Sequence, residues 1–308
     1  MENKATINDY VKLHAVILVW GFTGILGKVI TVSSISIVWY RTFLAFLSLA
    51  IFLLIRKQSL KIPTKNLVQY LGVGVIVALH WVFFFEALKV STVSVTLATL
   101  ASATLFTSIL EPLIYRKKIV VYEMLLGLVV IAGLMMIFSF EIKYKLGIIY
   151  SLISAIAVSL FTTLNGIFVA QKGSPTKITM YEMLGASGII FVYLGVTGEL
   201  NIEALSLMNN GMDAFWMDLL YLLILAILCT AIAFVVSVDV MKKLSPYTVT
   251  ISVNMEPIYA IILALTFFGE KEQMSWGFYV GAFLIMATIF SNGLMKRLTS
   301  GKKEQPNK

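Results

Sequence analysis

Two histidines and one cysteine, Cys229, are all that this 308-residue chain contains of those residues. A disulfide framework and a Cys-rich metal site are therefore excluded. Charge is scarce too. Asp, Glu, Lys and Arg make up 13% of the residues, about half the usual share for a soluble protein. A folded domain in water needs a charged and polar skin, so a soluble enzyme, a nucleic-acid binder and a disordered tail are all excluded. What fills the chain is hydrocarbon: 59% of the residues are apolar and the mean hydropathy is +0.92. A spanning helix takes about 20 residues plus a short connection, which leaves room for about ten.

Apolar runs bounded by charges or turn residues predict spans at 13–32, 35–55, 67–88, 90–114 and 119–139, then at 145–170, 177–197, 216–241, 244–268 and 275–296. The runs are continuously apolar, whereas the strands of a spanning barrel alternate. The first span follows the polar stretch MENKATINDYVKLH without a small-residue cleavage signature, so it is read as uncleaved. Ten spans put both termini on one side. With that side cytoplasmic, eighteen Lys and Arg fall inside and four, Lys89, Lys143, Lys145 and Lys271, fall outside. The connection after the seventh span carries Glu199, Glu203, Asp213 and Asp218 and no base. The formal net charge of +8 is thus a topology signal, with basic clusters at lipid headgroups and no nucleic-acid partner. The expected location is a plasma membrane, the inner membrane in a bacterium.

Ten spans divide into five and five, and an odd repeat inserts its second copy upside down. At an offset of 154, Ser91, Val95, Thr96, Lys117, Gly127 and Ile131 fall on Ser245, Val249, Thr250, Lys271, Gly281 and Ile285; at 141, Tyr40 and Ala45 fall on Tyr181 and Ala186. The expected fold is an all-α polytopic membrane protein of two inverted five-helix repeats, 1–142 and 143–298, with a cytoplasmic tail at 299–308.

The ninth span holds the most informative residues. Pro246 sits in its first turn, where the missing N–H costs nothing. Pro257 sits mid-span, where it removes the bond to the Val253 carbonyl and should kink the helix. Glu256 then lies near the bilayer midplane, where an acid costs about 2.5–3.5 kcal/mol on insertion scales and usually faces a cavity or a partner. Thr248, Ser252 and Glu256 follow at i, i+4 and i+8 and predict one polar stripe; Asn254 lies beside it. A broken helix next to a midplane acid suits a transport site. A protonated Glu256 bonded to a neighbouring helix is the packing alternative.

Glu256-Pro257 followed by Gly269-Glu270, with Trp20-Gly21 and Arg41 in the first two spans, resembles the EamA group of the drug/metabolite transporter superfamily. The resemblance covers the whole chain, and it implies export of amino acids or related compounds. The first repeat departs from the pattern: Tyr115-Arg116 stands where the G-E pair is expected, and Glu111-Pro112 stands near the inner end of the fourth span.

Arg41 lies about 9 Å inside the second span and cannot shed its proton. It serves either a substrate carboxylate or a structural pair with Glu86. His80, in HWVFFFEAL, either exchanges protons, given its ordinary pKa near about 6.5, or bonds neutrally across helices. Trp81, Trp20 and Tyr40 suit an aromatic cavity wall or interfacial anchoring. Ser151, Ser154, Thr162 and Asn165 share a face of the sixth span, and a carboxamide so deep needs partners or water. Nothing resembles a zinc or nucleophile motif, and Gly27-Lys28 lacks the glycine and Ser/Thr of a phosphate loop. No catalytic residue, metal or cofactor is expected. The reading is a secondary transporter of a small molecule working by alternating access, against a channel or receptor of the same topology, or a membrane-embedded enzyme.

Overall fold

The computed structural model describes residues 5–118, 120–198, 212–253, 255–269 and 274–303, with side chains after Thr288 described only at Ser291 and Met295. All regular structure among them is helical: α1 (Ile7–Val29), α2 (Ser34–Ile55), α3 (Thr64–Val90), α4 (Val93–Leu100), α5 (Ala103–Tyr115), α6 (Val121–Phe140), α7 (Lys145–Ala170), α8 (Pro175–Val196), α9 (Met212–Ala226), α10 (Ala233–Val240), α11 (Pro246–Val253), α12 (Glu256–Phe268) and α13 (Trp276–Lys303). A π-helical segment, Ile227–Ile232, joins α9 to α10. Nine helices among the described residues, counting α4–α5, α9–α10 and α11–α12 as one each, are long and apolar enough to cross a membrane. The tenth span begins at Trp276 and is apolar through Thr288. The protein is a ten-span, all-α membrane protein.

Its first helix starts earlier than the apolar run. The Thr6 backbone N–H donates to Asp9 Oδ2 at 2.8 Å, and so does the Thr6 hydroxyl at 2.6 Å, which fixes the first turn ahead of the hydrocarbon. The fourth span is not the continuous helix expected over 90–114. Between α4 and α5 the chain tightens into three-residue bonds, Ser102 N–H to Thr99 O at 3.0 Å and Leu105 N–H to Ser102 O at 2.9 Å. No proline stands at this break; the Ala103 carbonyl, at the start of α5, accepts from the Ser159 hydroxyl of α7 at 2.8 Å. The ninth span is divided into α11 and α12, and Pro257 is the second residue of α12. These two broken spans cross: α4 packs on α12, and α5 packs on α11.

Packing elsewhere follows small residues. A Cβ on Gly133 of α6 would lie 2.6 Å from the Gly281 carbonyl of α13, so these helices meet backbone to backbone. The lipid side of α6 is apolar, with Leu125, Leu128 and Met135 exposed. The largest core, built on α2, α3, α7 and α8 around Val77, Phe85, Ile178 and Met183, walls one side of a central cavity.

Candidate functional site

The cavity is partly open, and about 890 Å³ of space not filled by protein atoms lies in it and at its mouth. Both broken spans present their breaks to it, through Ala101 and Ala103 of one and Val253, Glu256 and Pro257 of the other. Its walls are mostly apolar and include the rings of Trp20, Trp81, Phe84, Phe161 and Phe234. A water-excluding wall of this kind strengthens every charge interaction inside it.

Arg41 reaches the cavity from α2 and is almost wholly buried. The Thr230 hydroxyl accepts from its Nε at 3.0 Å and from its Nη2 at 2.8 Å, and itself donates to the Leu225 carbonyl at 2.7 Å. One donor and two lone pairs are thereby used in full. That last bond spans five residues, the register of the π-helical segment, which sets Thr230 on the face that meets α2. The guanidinium lies 3.8 Å over the Trp81 ring, a cation–π contact. Nη1 is buried without a hydrogen-bond partner.

The pairing of Arg41 with Glu86 is therefore corrected: Thr230 and the Trp81 face take that place. The nearby lysines turn to carbonyls at helix ends, Lys28 to Leu88 O at 2.7 Å and Ser91 O at 2.6 Å, and Lys89 to Val32 O.

Glu256 faces the same cavity from the first turn of α12, buried, and no hydrogen bond or ion pair joins its carboxyl to another described residue. The expected stripe does not line the cavity as a whole: Glu256 does, and Thr248 and Ser252 do not. Val249, Thr250 and Val253 face the cavity in its place, while the Ser252 hydroxyl turns back to Thr248 O at 2.8 Å. Asn254 lies outside the described residues, as does Glu270.

His80 lines the cavity with its Nδ1 tied to Ser154 of α7, 2.7 Å from Oγ and 3.0 Å from the carbonyl. The cross-helix bond is the role its geometry has. Trp20 lines the cavity too, its Nε1 donating to the Cys229 carbonyl at 3.1 Å. Asn165 faces the cavity and donates from Nδ2 to Glu182 Oε2 at 3.4 Å. Tyr40 does not line it; its ring packs edge-on against Trp39 at 5.0 Å.

The structure thus brings Arg41, His80, Trp81, Asn165, Glu256 and Pro257 together and leaves Tyr40 and Ser252 aside. Two residues were missed, Thr230 and Glu182. The second had a signal: the 141-residue offset that pairs Tyr40 with Tyr181 also pairs Arg41 with Glu182. Thr230 had none, since its role depends on a π-helical register that no residue type announces.

The model of the EamA-like transporter family matches residues 11–139 and again 145–293. The chain belongs to the EamA-like transporter family. It is a multi-pass membrane transporter of two repeats, and its substrate is a small molecule. One relative, an uncharacterized transporter YxxF of Bacillus subtilis (strain 168), is 23% identical over 283 residues, 89% of this chain and 86% of the relative. GDP-fucose transporter 1 of Dictyostelium discoideum is 27% identical over 268 residues, 82% and 70% of the two chains. A crystal structure of another protein superposes with a TM-score of 0.69 over 94% of this chain and 99% of that one, at 15% identity; that likeness speaks for the fold alone.

Proposed function

We propose that the chain is a secondary active transporter that exports a small, amino-acid-like metabolite, working by alternating access between two inverted repeats, 1–142 and 143–298. One observation carries this reading. A buried guanidinium with an unpartnered nitrogen and a buried, unpartnered carboxyl face one aromatic cavity between two broken helices. Inverted copies also account for the crossing of the two broken spans, N-terminal half on C-terminal half. A substrate carboxylate takes Arg41 Nη1, and a substrate ammonium takes the place of a proton on Glu256. The loaded cavity then holds two opposite pairs, and the empty one holds Arg41 beside a neutral acid, so one zwitterion leaves for each proton that enters. A nucleotide sugar would need more than this: its diphosphate brings two negative charges to a single guanidinium and an acid.

Cells carrying the protein, its Glu256→Gln variant or neither would be compared for every metabolite in medium and cytosol. Wild type should enrich a primary-amine carboxylate in the medium. The Gln variant, inserted at the same level, should not, because it keeps the volume and neutral bonding of a protonated acid but cannot ionise. Equal enrichment by the variant returns Glu256 to a packing role.

A further inference from the structure

Glu182 is an acid with no exposed surface that this scheme leaves unused. It lies in the second turn of α8, about 10 Å from that helix's first residue, at the end of the molecule that carries the termini. Its side chain has no exposed surface, nor does that of Asn165, its partner from α7. Close approach is built in: Gly74 of α3 packs on the Glu182 backbone carbonyl, where a Cβ would collide. The two side chains make one long bond, 3.4 Å from Asn165 Nδ2 to Glu182 Oε2. Asn165 Oδ1 and Glu182 Oε1 are both buried with no partner. The cluster holds too many acceptors and too few donors. Isolated in this way, an ionised carboxylate would carry an uncompensated buried charge, at a cost of several kcal/mol. No cation compensates it among the described residues: the groups that face it are the Asn165 amide from α7 and the Tyr70 phenol from α3, and α2 and α10 bring none. One proton on the Glu182 carboxyl supplies a donor to a cluster that is short of them.

We propose that Glu182, hydrogen-bonded to Asn165, is a second proton-binding site, set between the transport cavity and the face that carries the termini. Asn165 also lines the cavity and joins the site to it. The position corresponds to that of Arg41 at the 141-residue offset, so each repeat sets an ionisable group at the same depth in its second span: a fixed cation in one, a titratable acid in the other. Use of the site in coupling rests on the transporter reading, whereas its proton binding does not, and the two fail separately.

The probe is the proton itself. Infrared difference spectra between low and high pH, taken on the full chain in lipid, report each carboxyl that titrates through its protonated C=O stretch. A band present in wild type and in Glu256→Gln, lost in Glu182→Gln and shifted in Asn165→Leu supports the site. An unchanged band in Glu182→Gln overturns it. Should that variant not fold, dicyclohexylcarbodiimide, which reacts with protonated carboxyls in apolar surroundings, would be applied to wild type and the adduct located by mass spectrometry. Adduct at Glu182 supports the proposal, and adduct at Glu256 alone overturns it. Failure of the metabolite comparison, with the infrared band intact, would remove the transport role and leave the proton site standing.

Discussion

A guanidinium buried among aromatic rings is held by a single hydroxyl, and this decides what Arg41 can do. Thr230 uses both lone pairs on Nε and Nη2, which leaves Nη1 as the nitrogen free for a ligand. Thr230→Val keeps the shape and removes both acceptors. Hydrogen bonds to charged groups contribute about 1.5–3 kcal/mol, so a mispositioned Arg41 should raise the apparent KM for the exported solute roughly tenfold or more, with maximal rate and folded yield much less affected. Thr230→Ser should restore it. An unchanged KM in the Val variant would show that Arg41 needs no such support. That Arg41, His80, Asn165 and Glu256 share one cavity was within reach of the sequence, because a charged, imidazole or carboxamide side chain within an apolar run stands out. Their partners were not legible. Glu86 was the nearest acid by helix arithmetic, and the real partner, a threonine, is unremarkable in sequence and distant in chain position.

At the level of elements, breaks and close contacts divide the labour. The break at Pro257 was readable because proline forbids one backbone bond, although Thr248 and Ser252 of the stripe expected across it do not line the cavity. The matching break at Ala101 and Ser102 was not readable, since nothing local prevents a helix there and the packing of α4 and α5 against the other interrupted span and α7 imposes it. Contacts between whole helices depend on glycine. Gly133→Ala should force α6 from α13, because its Cβ meets the Gly281 carbonyl at 2.6 Å, and overpacking of this kind costs about 1–3 kcal/mol. Gly72→Ala is the matched control, with nothing within 4 Å of its Cβ; it should be neutral or stabilising by about 0.5–1 kcal/mol. Thermal unfolding of both variants in one detergent reads the difference. Equal melting points would mean that the α6–α13 contact is looser than described.

Over the whole molecule, polar ties close both ends of the bundle. At one end, Asp218 of α9 accepts from the Thr31 backbone at 3.0 Å and from its hydroxyl at 2.6 Å. At the other, Lys243 meets Asp9 at 3.0 Å, and the Tyr247 N–H donates to Glu111 Oε2 at 2.8 Å. Glu111 belongs to the E-P pair that departed from the family pattern, and its place here is a cap on the first turn of α11. Sequence supplied the number of spans and the split of charge because both are properties of solvent: lipid demands long apolar runs, and positive residues stay on the side of synthesis. It could not supply the ties, which join residues far apart in the chain. The orientation that the charges imply places Lys61 in the cytoplasm and Asp213 outside. Single cysteines at these two positions, both exposed, would be introduced into a Cys229→Ala background and treated in intact cells with a thiol reagent that cannot cross the membrane. The cysteine at 213 should label, and the cysteine at 61 should label only after the cells are opened. Labelling at 61 in intact cells without labelling at 213 would invert the molecule and exchange the ends at which Arg41 and Glu182 lie.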